Sequence, residues 1–149
     1  MITPNFLSLL QTLQKNHIEF IVVGGVGGVL QGAPITTFDL DVVHSRDPGN
    51  LHRLLTALNF LDANSRTPGA KHRKPEYSPL QSTGHHLLMT RAGPLDLLGT
   101  IGRGHSYDDL IGQTIDMEIG EGLQVHVLKL DAIIGIKEET AGEKDNWLY

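Results

Sequence analysis

The chain has 149 residues, 40% of them apolar and 19% charged, with a formal charge of −5. This suits one folded domain over residues 1–149 and excludes extensive disorder, a membrane span of roughly 18–20 apolar residues, and a surface that attracts phosphate backbones as a whole. There is no cysteine, which removes disulfides, thiolate metal sites, iron–sulfur clusters and a cysteine nucleophile together. The opening Met1-Ile2-Thr3-Pro4-Asn5 lacks the basic flank and apolar stretch of a secretory signal, so a cytoplasmic location with no membrane partner is expected.

In chain order, Phe6, Leu9, Leu10 and Leu13 recur at helical spacing, and the helix is expected to be capped by Thr3 with Pro4 at its first position and to end near Asn16. Ile18 to Val23 is a short, β-branched, apolar run, the pattern of a strand covered on both faces. It stops at Gly24-Gly25, and Val26, Val29 and Leu30 have the spacing of a short helix ending at Gly32-Ala33-Pro34. Phe38 to Val43 alternates polar and apolar residues, which predicts a strand with one buried face carrying Leu40 and Val42. Asp47-Pro48 opens a helix striped with Leu51, Leu54, Leu55 and Leu58. From Asp62 to Ser82 periodicity is lost among three prolines and Arg66, Lys71, Arg73 and Lys74, which reads as a long basic loop. His86–Thr90 and Leu95–Leu98 make one hairpin, Thr114–Ile119 and Leu123–Leu128 another, and a last helix runs from about Leu130 towards Gly142. Interleaved strands and helices without a repeat or linker indicate one α/β unit.

The chemistry concentrates on Asp39-Leu40-Asp41. On a strand, residues i and i+2 face the same way with Cα atoms roughly 6.5 to 7 Å apart, so the two carboxylates can share a divalent cation. Asp-x-Asp alone is usually a solvated strand edge. Here it follows a glycine-rich turn, and a lone aspartate, Asp96, stands among Leu95, Leu97 and Leu98, where its neighbours enter the core and it emerges on the other face. Three carboxylates on adjacent strands form a hard oxygen site suited to Mg²⁺, which takes substrate phosphates as further ligands. The turn is not a Walker A loop, since Ala33-Pro34 stand where Lys and Ser/Thr are required, and no G-x-G-x-x-G occurs.

These residues resemble a family. Val23-Gly24-Gly25 through Gly32-Ala33-Pro34-Ile35-Thr36-Thr37-Phe38-Asp39-Leu40-Asp41-Val42, followed by the lone strand aspartate Asp96, is similar to the nucleotidyltransferase superfamily of DNA polymerase beta. Within it the resemblance is to small bacterial proteins that include minimal nucleotidyltransferases and abortive-infection toxins. The resemblance implies a single mixed β-sheet, in the α/β (α+β) class, with helices mainly on one face. It implies Asp39, Asp41 and Asp96 as catalytic metal carboxylates for one or two Mg²⁺ ions, and a nucleotide site of Gly24, Gly25, Thr36, Thr37 and Lys137. The implied activity moves a nucleoside monophosphate from an NTP such as ATP to a hydroxyl on a protein, an RNA or a small molecule.

Relatives commonly carry Ser at the position of Gly25 and Arg at that of Ile35, and Gly142-Glu143-Lys144-Asp145 resembles the family's G-R-x-K-D signature with Glu143 in place of Arg. These departures keep an alternative open: a catalytically weak or inactive module of the same fold acting through a protein partner, of toxin–antitoxin type, or as a homo-oligomer. A metal-dependent phosphohydrolase is a third reading. The eight histidines show no metal-ligand spacing and are assigned to surface or satisfied core positions. Asp108-Asp109 reads as the first turn of a short helix, and Lys71–Lys74 as a solvated charge run.

Overall fold

The computed structural model describes residues 5–32 and 38–141. Helix α1, Phe6–Lys15, buries Leu9, Leu10 and Leu13, as their spacing requires. Its cap is Asn5 rather than Thr3: the Asn5 Oδ1 accepts a hydrogen bond from the Ser8 backbone N–H at 3.0 Å, supplying one of the helix's orphan donors with a partner. Thr3 and Pro4 lie outside the described residues. Strand β1, Phe20–Val23, is buried throughout and passes directly into α2, Gly24–Leu30. Four of the seven residues of α2 are glycine, each costing about 1 kcal/mol of helix propensity. Tertiary contact outweighs that cost, because the helix lays the buried Val26 on the sheet.

Strand β2, Leu40–His44, is buried at all five positions, where alternation predicts one covered face. The reason is its place in the sheet. The seven strands run in the order β3-β4-β5-β2-β1-β7-β6, so β2 is central, and both faces are covered. Leu40 and Val42 join the larger core with residues of α1 and α3, whereas Val43 joins Ile21, Val23, Leu98 and Leu128 beneath Ile133 and Ile136.

Helix α3, Pro48–Phe60, starts with proline in its first turn, as expected. The stretch from Asp62 to Ser82 is not a continuous loop. It contains β3, Asn64–Ser65, paired antiparallel with Met89 and Leu88, and a turn of helix, α4, Tyr77–Leu80. The β4 edge offers unpaired backbone groups that the passing chain satisfies, and Leu80, 1% exposed, anchors the return. Strands β4, His85–Thr90, and β5, Gly93–Leu98, form the expected hairpin. Helix α5, Tyr107–Leu110, has a capping box between Ser106 and Asp109, and a 3₁₀ turn, Ile111–Gln113, leads into the second hairpin. That hairpin is β6, Thr114–Glu118, with β7, Gln124–Leu128, and α6, Leu130–Glu139, closes the described chain. The β1–β7 and β2–β5 pairs are parallel and the others antiparallel, which makes one mixed sheet. Residues of α1, α2, α3 and α4 pack on one face and those of α5 and α6 on the other. Among the described residues no helix is long and apolar enough to cross a membrane.

Candidate active site

The parallel pairing of β2 and β5 sets Asp41 opposite Asp96 in register. Asp41 and Asp96 point to the side of the sheet that carries Val43 and Leu98, and Asp39, in the bend just before β2 rather than on the strand expected from Phe38, brings its carboxylate to them. One oxygen from each lies within 4.8 Å of the others. Asp41 and Asp96 are only 6% and 2% exposed, while Asp39 is half-buried. In this poorly solvated, crowded place Asp39 and Asp41 resist ionisation. Burial, then contact with Asp96, pushes the Asp39 carboxyl up to about 6. The same causes, with the charge of Asp39 added, push Asp41 up to about 9.

Gly24 closes the floor of the site. Strand β1 pairs Val23 with Asp41, and the next residue turns with φ +67°, in the left-handed region that favours glycine. A Cβ at Gly24 would stand 2.3 Å from Asp41 Oδ2, so only glycine lets the backbone pass this carboxylate. Gly25 follows it, half-buried, in the first turn of α2.

A cation that no motif marks completes the group. Arg66, directly after β3, brings its Nη2 to 2.6 Å from Asp96 Oδ1 and 3.5 Å from Asp39 Oδ2. Its Nη1 donates to the Leu88 carbonyl at 2.6 Å and its backbone N–H to the Leu87 carbonyl at 3.0 Å. The Asp96 Oδ1 is buried with no hydrogen-bond donor aligned on it, so the contact with Arg66 is one of charge rather than of directed hydrogen bonding. In the sequence Arg66 is one basic residue among several. The discriminating signal is spatial: β4 lies beside β5, and the residue after β3 lies beside Leu87, the partner of Asp96.

The other expected site residues fall elsewhere. Thr36 and Thr37 lie outside the described residues, as do Ile35 and Gly142–Asp145. Lys137 is exposed in the last turn of α6, and the cation whose charge acts on Asp39 and Asp41 is Arg66. Of the basic stretch, Lys71, Arg73 and Lys74 are exposed, and Lys74 pairs with Asp62 at 2.9 Å. They are solvated, as read from the sequence. Arg73 and Lys74 also border a cleft of about 310 Å³ beside β4. His85 is exposed, with Nε2 3.0 Å from the Thr100 carbonyl, and His86 is half-buried.

No family model matches the sequence, and comparison with curated proteins gives no match. Solved structures do match. A candidate nucleotidyltransferase from Thermotoga maritima, TM1012, superposes with a TM-score of 0.59 at 17% identity, covering 93% of this chain and 86% of its own. This chain has the nucleotidyltransferase fold. A second structure of that fold, the lincosamide antibiotic adenylyltransferase LnuA with lincomycin bound, gives a TM-score of 0.55 at 13% identity over 97% of this chain and 87% of its own. On a nucleotidyltransferase fold, three carboxylates converging beside a glycine turn could hold a metal ion. The donor set is all oxygen, with one atom from each carboxylate within 4.8 Å of the others, so these residues fit a hard divalent cation.

Proposed function

We propose that this protein is a Mg²⁺-dependent nucleotidyltransferase that moves a nucleoside monophosphate from an NTP to a hydroxyl acceptor. The observation that carries the reading is the convergence of Asp39, Asp41 and Asp96 within 4.8 Å against Gly24, on this fold. Asp39 and Asp41 would hold the metal, with Asp96 beside them as the third carboxylate of the group. Bound Mg²⁺ supplies charge neutralisation for the triphosphate and the leaving pyrophosphate. The Gly24-Gly25 turn admits the phosphates close to the backbone, with Thr36, Thr37 and Lys137 as further nucleotide contacts.

In the transfer, the acceptor oxygen forms a bond to the α-phosphorus while the bond from that phosphorus to pyrophosphate breaks, and the hydroxyl proton passes to the Asp96 carboxylate. Positioning and electrostatics suffice for such a step, so no covalent nucleophile is needed. ATP is the donor to test first, since one fold neighbour is an adenylyltransferase. The acceptor is a protein, an RNA or a small molecule, met in the cytoplasm by the chain alone, as a homo-oligomer or with a protein partner.

The test is thermal unfolding with NTP, with and without Mg²⁺. The wild type is expected to be stabilised by NTP only when Mg²⁺ is present, and the Asp39→Asn, Asp41→Asn double variant to lose that response. Unchanged stabilisation in the double variant removes the carboxylates from the reading.

A further inference from the structure

The edge of the carboxylate group next to Asp96 already holds a cation that belongs to the chain. The Arg66 guanidinium carries its charge at every accessible pH, and it is fixed rather than swinging free. Nη1 is tied to the Leu88 carbonyl and the backbone N–H to the Leu87 carbonyl, both on the strand beside Asp96. From this anchorage Nη2 touches Asp96 at 2.6 Å and lies 3.5 Å from Asp39. Asp41, on the far side against Gly24, has no ion pair with it among the described residues.

We propose that Arg66 is a resident cation that fills one of the cation positions of the carboxylate triad, so the chain binds one divalent ion fewer than its three carboxylates would otherwise take. This rests on reading the triad as a metal site. A divalent ion bound through Asp96 Oδ1 would stand beside the guanidinium and be repelled by it, whereas Asp39 is the more distant of its two partners, at 3.5 Å, and Asp41 has no ion pair with it among the described residues, so an ion drawn to the Asp41 side meets less repulsion. Arg66 thereby assigns different roles to the three acids. Asp39 and Asp41 form the exchangeable metal position, and Asp96 is held by a built-in charge.

A role for Arg66 confined to bracing the chain after β3 against β4 predicts something else: its removal changes stability and leaves the ion count alone. The experiment is therefore a titration of the full chain with Mn²⁺, with free Mn²⁺ counted by electron paramagnetic resonance. It compares wild type with Arg66→Met and with Arg66→Gln, which keeps an N–H donor for the chain. Each variant is expected to bind one more ion per chain than wild type. Equal, non-zero counts overturn this proposal and leave the metal site standing. Zero ions in all three proteins overturn the metal site and the proposal together. If circular dichroism shows both variants unfolded, the count is repeated on Asp96→Asn, which removes the carboxylate that Arg66 holds: a count equal to wild type supports the proposal, and a count one lower overturns it.

Discussion

Gly24→Ala separates a backbone requirement from a requirement of the site. At φ +67° an L-residue costs about 1–2 kcal/mol of left-handed strain. The added Cβ would also stand 2.3 Å from Asp41 Oδ2 and 3.1 Å from Asp41 Cβ and Cγ, forcing a buried carboxylate to move, at a further cost of about 1–3 kcal/mol for overpacking. The expected loss is about 2–5 kcal/mol. Gly122→Ala is the control, because Gly122 has a similar φ of +75° and open space where its Cβ would go; its expected loss is the strain alone, about 1–2 kcal/mol. Urea unfolding of both variants, with Mn²⁺ affinity measured on each, isolates the push on Asp41. Equal losses for the two variants, with Mn²⁺ affinity unchanged in Gly24→Ala, would refute the idea that this glycine exists to admit Asp41.

Asn50 is 1% exposed and its amide closes three hydrogen bonds, accepting from the Glu19 N–H and donating to the Glu19 and Ser45 carbonyls. Asn50→Ala is expected to cost about 2–4 kcal/mol in urea unfolding without altering NTP binding. His44 is fully buried with Nε2 3.0 Å from the Leu80 carbonyl, and burial pushes its pKa down from 6.5 to about 4. The unfolded chain therefore binds the extra proton first, so this contribution is whole above pH 6.5 and is lost as pH falls to 4, amounting to about 3 kcal/mol. Asp39 and Asp41, raised to about 6 and about 9, work in the opposite direction, their contribution being lost as pH rises through those values. The His44 effect is accordingly read as the difference between wild type and His44→Gln at pH 7 and pH 4.5, where the wild-type advantage shrinks.

Much of this structure is legible in local pattern. The all-apolar β1, the α3 stripe and both hairpins follow from periodicity and turn residues, and Asp96 is conspicuous as one polar residue in a leucine run. What escapes local reading depends on neighbours distant in sequence. The burial of β2 on both faces follows from its central place between β1 and β5, which alternation within six residues does not encode. Arg66 lies 30 residues from Asp96 in sequence and has no fixed spacing to it, and it meets the carboxylate because two antiparallel pairings stack β3, β4 and β5. The cap of α1 is Asn5, whose side chain accepts from the Ser8 N–H.

The central claim is tested most directly by following the α-phosphate. The protein is incubated with Mg²⁺ and each NTP labelled at the α-phosphate, in an extract of cells, and the label is traced. Transfer of the label to a macromolecule or small hydroxyl compound, with release of pyrophosphate and abolition in the Asp39→Asn, Asp41→Asn variant, is the predicted result. Label recovered only as free nucleotide would indicate hydrolysis, and intact NTP despite Mg²⁺-dependent binding would indicate a binding module; either result contradicts nucleotidyl transfer.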